Sequence, residues 1–321
     1  MRNWNFKKII GYGVLGALLL CIAFSMLLLP YALNKHLGDD RRNEAKAEAS
    51  YRENHPTQSF WLDSIQACNA LRDTFIYASG GERLHAKYVP AAVPTNKTAV
   101  ILHGYTDCLW GMMRLGYMYH HDLGFNILLP DAYAHGKSKG SHIRMGWLDR
   151  FDVLQWMDLA NDMFKGDSLA TQMVLHGISM GGATTMMVSG EPQAPYIKCF
   201  VDDCGYTSVW DEFAHELKSR FGLPPFPILY MSDFWCRLIH GWGFKEASAL
   251  KQVAKCDLPM MFIHGDKDGF VPTAMVYPLY EAKSEPKELW LVPKAGHAVS
   301  YNKYPQEYTR RVDAFVSKYM Y

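Results

Sequence analysis

From about residue 60 onward, short apolar runs alternate with longer amphipathic ones. The short runs are Thr74–Ala78, Leu84–Val89, Ala99–Leu102, Asn126–Leu129, Met173–Leu175, Cys199–Asp202, Met260–Ile263 and Leu289–Val292. Several are uniformly apolar and end at a glycine-bearing turn, which predicts strands covered on both faces. Between them lie helical patterns, Trp147–Phe164 and the segment after Gly181 among them. Such alternation predicts a mostly parallel, eight-stranded sheet flanked by helices, with ligands bound at the carboxyl ends of the strands.

The N-terminus follows a different pattern. No charge occurs from Ile9 to Asn34, a run long enough to cross a bilayer, and Arg2, Lys7 and Lys8 precede it. An uncleaved anchor, a signal peptide cut near Ala23-Phe24-Ser25 and a buried core helix compete here. Apolar residues Met26 to Leu29 continue past that cleavage site, which favours the anchor over 1–34. The basic tail places the main domain outside the cytoplasm, although Lys35, Arg41, Arg42, Lys46 and Arg52 beyond the span outnumber it. Residues 35–59 are rich in charge, Ala and Glu and read as a solvated helix or stalk leading to a domain over 60–321.

Composition narrows the function. Lys and Arg total 33 against 32 Asp and Glu, so the concentrated basic excess of a nucleic-acid surface is absent. The chain carries neither a G-x-x-x-x-G-K-[ST] loop nor a dinucleotide fingerprint, so no cofactor is expected. No pair among the seven cysteines has CxxC spacing; buried free thiols are expected, with a disulfide left open in an oxidising compartment. His120 and His121 are adjacent, so on a helix their side chains diverge, and no metal is expected there.

The densest chemical signal is His176-Gly177-Ile178-Ser179-Met180-Gly181-Gly182, which leaves the apolar run Met173–Leu175 and opens a helical one. It contains a complete G-x-S-x-G, the tight strand-to-helix turn that holds a serine hydroxyl clear of a sheet at a helix N-terminus. A serine needs a base to take its proton, and this turn type sets the order serine, acid, histidine. Downstream, one strand runs into His264-Gly265-Asp266-Lys267-Asp268 and the next into Lys294-Ala295-Gly296-His297. His297 is the candidate base and Asp268 the candidate acid, with Asp266, Asp202 and Asp203 as alternatives for the acid.

These segments, together with Leu102-His103-Gly104-Tyr105 and Asp131-Ala132-Tyr133-Ala134-His135-Gly136-Lys137-Ser138, resemble the α/β-hydrolase superfamily. Within it, the chain resembles the group that holds monoacylglycerol-lipase-like and serine-aminopeptidase-like members, and the likeness covers residues 75–321. Ala134 departs from the Arg or Gly that many relatives carry there. The resemblance implies an oxyanion hole from the backbone N–H groups of Tyr105 and Met180, and a helical cap formed by the aromatic-rich insertion at about 206–256. It implies acyl transfer through Ser179 onto water, with a small-molecule ester as substrate or, as the runner-up, a short peptide. A catalytically silent binding protein of the same fold is the rival class.

Overall fold

The computed structural model describes residues 2–37, 43–166 and 169–321. Eight strands form one sheet in the order β1-β2-β4-β3-β5-β6-β7-β8. They are β1 (Arg72–Tyr77), β2 (Arg83–Val89), β3 (Lys97–Leu102), β4 (Asn126–Pro130), β5 (Gln172–Ile178), β6 (Ile197–Asp203), β7 (Met260–Gly265) and β8 (Lys287–Val292). β2 runs antiparallel to both β1 and β4, and every other neighbouring pair is parallel. Each predicted strand is present, several of them extended by polar residues at their ends, such as Lys97-Thr98 and Lys287-Glu288. β4 and β7 are buried throughout while β1 at the edge alternates, which explains why the central strands read as unbroken apolar runs.

Among the described residues there are twelve α-helices. The N-terminal three are α1 (Arg2–Ala32), α2 (Glu44–Asn54) and α3 (Ser59–Ala67). Those connecting the strands include α4 (Leu109–Tyr117), α5 (Asp149–Phe164) and α6 (Met180–Ser189). α7 (Val209–Phe221) and α8 (Ile228–His240) lie in the insertion; α9 (Ala249–Val253), α10 (Val276–Ala282), α11 (Ser300–Lys303) and α12 (Pro305–Val316) complete the chain.

Two compact units result: Lys35–Thr207 with Ser248–Tyr321, and Met1–Asn34 with Ser208–Ala247. This revises the expected boundaries. Of the segment 35–59, residues 43–59 form no solvated stalk: α2 buries Ala47 and Tyr51 in the sheet-bearing unit's core, beside Trp61 and Leu62 of α3. The Tyr51 hydroxyl donates to Gln58 Oε1 at 2.9 Å, and Gln58 Nε2 donates to the Tyr301 hydroxyl at 3.1 Å. The insertion is also shorter than expected. Tyr206 remains in the sheet-bearing unit, where its hydroxyl donates to the Met145 carbonyl at 2.8 Å.

α1, the expected anchor, shares a unit with α7 and α8. The Trp235 indole donates to Ser25 Oγ at 3.2 Å, the Ser232 hydroxyl to the Ser25 carbonyl at 3.4 Å, and Phe24 meets Phe221 edge-on. Lys8–Ala32 is long and apolar enough to cross a membrane. Within the insertion, Trp242 and Phe244 are buried, whereas Phe226 and Phe234 remain exposed.

Candidate active site

The turn between β5 and α6 is built around two close approaches. A Cβ at Gly177 would collide with the backbone of Gly181, and one at Gly181 with the Leu102 carbonyl. Ser179 itself takes φ 60°, ψ −119°, a region costly for a residue with a side chain, of order 1–3 kcal/mol. Its amide donates to the Asp203 carbonyl at 2.8 Å, which pins the bend to β6. Ser179 then sits at the N-terminus of α6, where the helix dipole favours negative charge.

The loops after β7 and β8 bring the other two candidates to this point. His297 Nε2 lies 2.8 Å from Ser179 Oγ, and His297 Nδ1 lies 2.8 Å from Asp268 Oδ2. The second oxygen of Asp268, Oδ1, accepts from the amides of Phe270 and Val271, both at 3.0 Å. A carboxylate accepts at every one of these positions, so Nδ1 carries the proton and Nε2 is left to accept from the serine. Burial pushes Asp268 upward, but hydrogen bonds from His264 and His297 outweigh it and bring it down to about 2. Phe270 covers one side of the imidazole, with ring centroids 4.9 Å apart. The arrangement can draw a proton from an alcohol and hold the resulting imidazolium beside a fixed negative charge.

The alternative acids lie elsewhere. Asp266 is exposed. Asp203 accepts from the Tyr308 hydroxyl at 2.9 Å, and Tyr308 in turn meets His176 Nε2 at 3.0 Å, so that carboxylate serves a buried structural chain. Asp202 Oδ1 accepts from the Gly205 amide at 3.0 Å. Both ring nitrogens of His297 are already engaged by Asp268 and Ser179.

The expected oxyanion-hole residues are Tyr105 and Met180. Met180 is the first residue of α6, and a Cβ added at Gly104, just before Tyr105, would come within 3.2 Å of Ser179 Cβ. His103 fixes that turn: its Nε2 accepts from the Ala132 amide at 2.9 Å, so its Nδ1 carries the proton donated to the Gly104 carbonyl at 2.8 Å.

His264 has a role that its sequence position did not disclose. Fully buried, it lies with Nε2 3.0 Å from the Val271 carbonyl and 3.5 Å from Asp268 Oδ2, beneath the acid. Burial pulls the His264 imidazole down, but the bond to Asp268 and that to Val271 turn the balance upward. A His-Gly pair at a strand end was the only signal for it. Among the described residues, one group has donor atoms close enough to share a metal ion: Cys204, Asp268 and His297, within 4.8 Å of one another. Two of its three members are those already bonded to each other. His120, by contrast, is spent on structure, between the Trp61 indole and the Pro90 carbonyl, each at 3.0 Å.

Residues 149–321 match the prolyl oligopeptidase family. The uncharacterised protein YqkD of Bacillus subtilis (strain 168) is 29% identical over 229 residues, which are 71% of this chain and 74% of that protein. Among solved structures, the Pyrococcus furiosus esterase Pf2001 superposes with a TM-score of 0.62 at 23% identity, over 78% of this chain and 93% of the esterase. The Pyrococcus horikoshii acylaminoacyl peptidase superposes with a TM-score of 0.57 at 15% identity, over 77% of this chain and 40% of the peptidase. At these identities the superpositions establish the fold.

Proposed function

The chain belongs to the prolyl oligopeptidase family of α/β-hydrolases, and on that premise we propose that it hydrolyses carboxylic esters through an acyl-enzyme on Ser179. One observation carries the reading: the 2.8 Å contacts that run from Ser179 Oγ through His297 to Asp268. Ser179 Oγ attacks the ester carbonyl carbon while His297 Nε2 takes the hydroxyl proton. The carbonyl oxygen, now negative, faces the N–H groups of Tyr105 and Met180, each contributing ~2.7–4 kcal/mol to the transition state. The tetrahedral adduct collapses, the ester C–O bond breaks, and the leaving alkoxide takes the proton from His297. Water then repeats the sequence, with His297 as base, and releases the acid and free Ser179.

The superposition on the archaeal esterase, over 93% of that protein, supports the ester reading. Family membership supports the second reading, cleavage of short peptides by the same three residues. Rates on p-nitrophenyl esters of rising chain length, beside aminoacyl and peptidyl anilides, separate the two, with Ser179→Ala as the blank. Hydrolysis of the esters alone is expected; anilides cleaved faster than every ester would replace the ester reading, and equal rates for parent and Ser179→Ala would end both. A fluorophosphonate probe is expected to label the parent at Ser179, which distinguishes an enzyme from a silent binder.

In this reading α1 is an uncleaved single span, with Arg2, Lys7 and Lys8 retained in the cytoplasm and the hydrolase unit outside it. Residues 1–34 are the anchor, and 208–247 an insertion into the hydrolase chain.

A further inference from the structure

α8 carries more apolar surface than a water-exposed helix should. Phe234, Leu238 and Ile239 are 57%, 67% and 62% exposed. At 3.6 residues per turn, Phe234, Leu238 and Met231 fall within about 60° of one another, next to Trp235. Trp235 is the residue that bonds Ser25 of α1. The opposite flank is polar: Arg237 pairs with Asp233 at 3.2 Å and Glu246 at 3.6 Å. The apolar stripe of α8 therefore borders the line along which α8 lies on α1, a helix that exposes apolar residues of its own, such as Leu20 and Leu27.

The position of that contact along α1 sets its depth. Tyr12 and Tyr31, both exposed, are 19 residues apart, about 28 Å of helix, close to the thickness of a bilayer's hydrocarbon core and suited to its two interfaces. Ser25 is six residues inside Tyr31, about 9 Å. A helix that meets α1 at Ser25 lies at the depth to which interfacial amphipathic helices sink, about 5–10 Å below the headgroups. The bonds from Trp235 and Ser232 satisfy the polar groups of Ser25 there, as a dry surrounding requires.

We propose that α8 is a second membrane element: it lies in the outer boundary of the bilayer, against α1, with Phe234, Leu238 and Met231 among the acyl chains. The occupant of the stripe is lipid, not a protein partner, because the helix against which α8 packs is itself long and apolar enough to cross a bilayer. This rests on the reading of α1 as an uncleaved span, and the test keeps the two apart. Full-length protein is reconstituted into phosphatidylcholine vesicles with p-benzoylphenylalanine at one position at a time, and crosslinking to lipid is measured after irradiation. Leu20 reports on the span, Phe234 and Leu238 on α8, and Val93, 76% exposed in the sheet-bearing unit, on water.

Labelling at Phe234 and Leu238 within about threefold of Leu20, and at least tenfold above Val93, is the expected result. Strong labelling at Leu20 with Phe234 and Leu238 at the Val93 level overturns the proposal and leaves the span intact. Background labelling at Leu20 and at α8 removes both. The pair Phe234→Glu with Leu238→Glu adds a second readout: lipid labelling from a probe at Met231 is expected to fall at least fivefold while the rate on a short, water-soluble ester holds. Undiminished labelling from Met231 would count against the stripe as the membrane contact.

Discussion

At the residue scale, the site depends on one proton being held on one nitrogen. Asp268 dictates that choice by accepting from His297 Nδ1 and, through its other oxygen, from two amides that leave it no freedom to turn. Asp268→Asn presents an amide that matches the wrong tautomer, so kcat is expected to fall about 10⁴-fold with little change in KM; steady-state rates on a p-nitrophenyl ester check it. Asp268 also ties stability to pH. Its folded value, about 2, lies below the ordinary 3.8, so its contribution is complete above the unfolded value and disappears as pH falls through 3.8 toward 2. Asp202 acts in the opposite sense, since burial raises it to about 7. The folded state then holds a proton that the unfolded state releases, and stability declines as pH rises from about 4 to about 7. Asp202→Asn, which keeps an oxygen for the Gly205 amide, is expected to flatten that part of the profile of Tm against pH. An unchanged slope would show that the Asp202 carboxyl is ionised in the fold.

At the scale of elements, the turn after β5 tolerates nothing larger than hydrogen at two places. Gly181→Ala drives a methyl group into backbone that cannot retreat, at a cost of about 3 kcal/mol or more. Gly166→Ala meets open space and is expected to leave the urea midpoint within experimental error. Much of this architecture was legible beforehand, and for a physical reason. Strands covered on both faces must be apolar at every position, so β3, β4, β5, β6 and β7 stand out as runs, and the chemistry sits in the glycine-marked turns that follow them. Ser179, Asp268 and His297 are strand-end residues in the sequence, and the structure links their side chains through 2.8 Å contacts. His264 and His103 were not assigned roles, because a clamp on a loop depends on which backbone amides come near, and no periodicity records that. α2 was misread for a related reason. It buries only Ala47 and Tyr51 and shows charge on its remaining faces, so its composition is that of a solvated helix. Tyr51→Ala should lower unfolding free energy by about 3–5 kcal/mol, whereas Glu53→Ala on the exposed face should change it by less than about 0.5 kcal/mol.

At the scale of the whole molecule, the sequence shows an N-terminal helix long and apolar enough to cross a membrane, but not the residues that pack on it. A contact such as that of Trp235 with Ser25 joins residues 210 positions apart, and nothing local in either segment announces it. Formal net charge is +1, too small for electrostatics to retain the protein on an anionic surface, and any such attraction is screened within about 3 Å at 1 M salt. In the proposed reading, burial of α1 supplies the attachment, at about 25 cal/mol for each Å² of apolar surface withdrawn from water. The protein is therefore expected in the membrane fraction after washing at 1 M salt and at alkaline pH, leaving it only in detergent, with its N-terminus intact by mass spectrometry. Release by salt would mean that α1 does not span, and an N-terminus beginning near Met26 would mean that it had been cleaved as a signal. In that second case α8 would lose Ser25, and its apolar stripe would face water without the helix that now lies beside it.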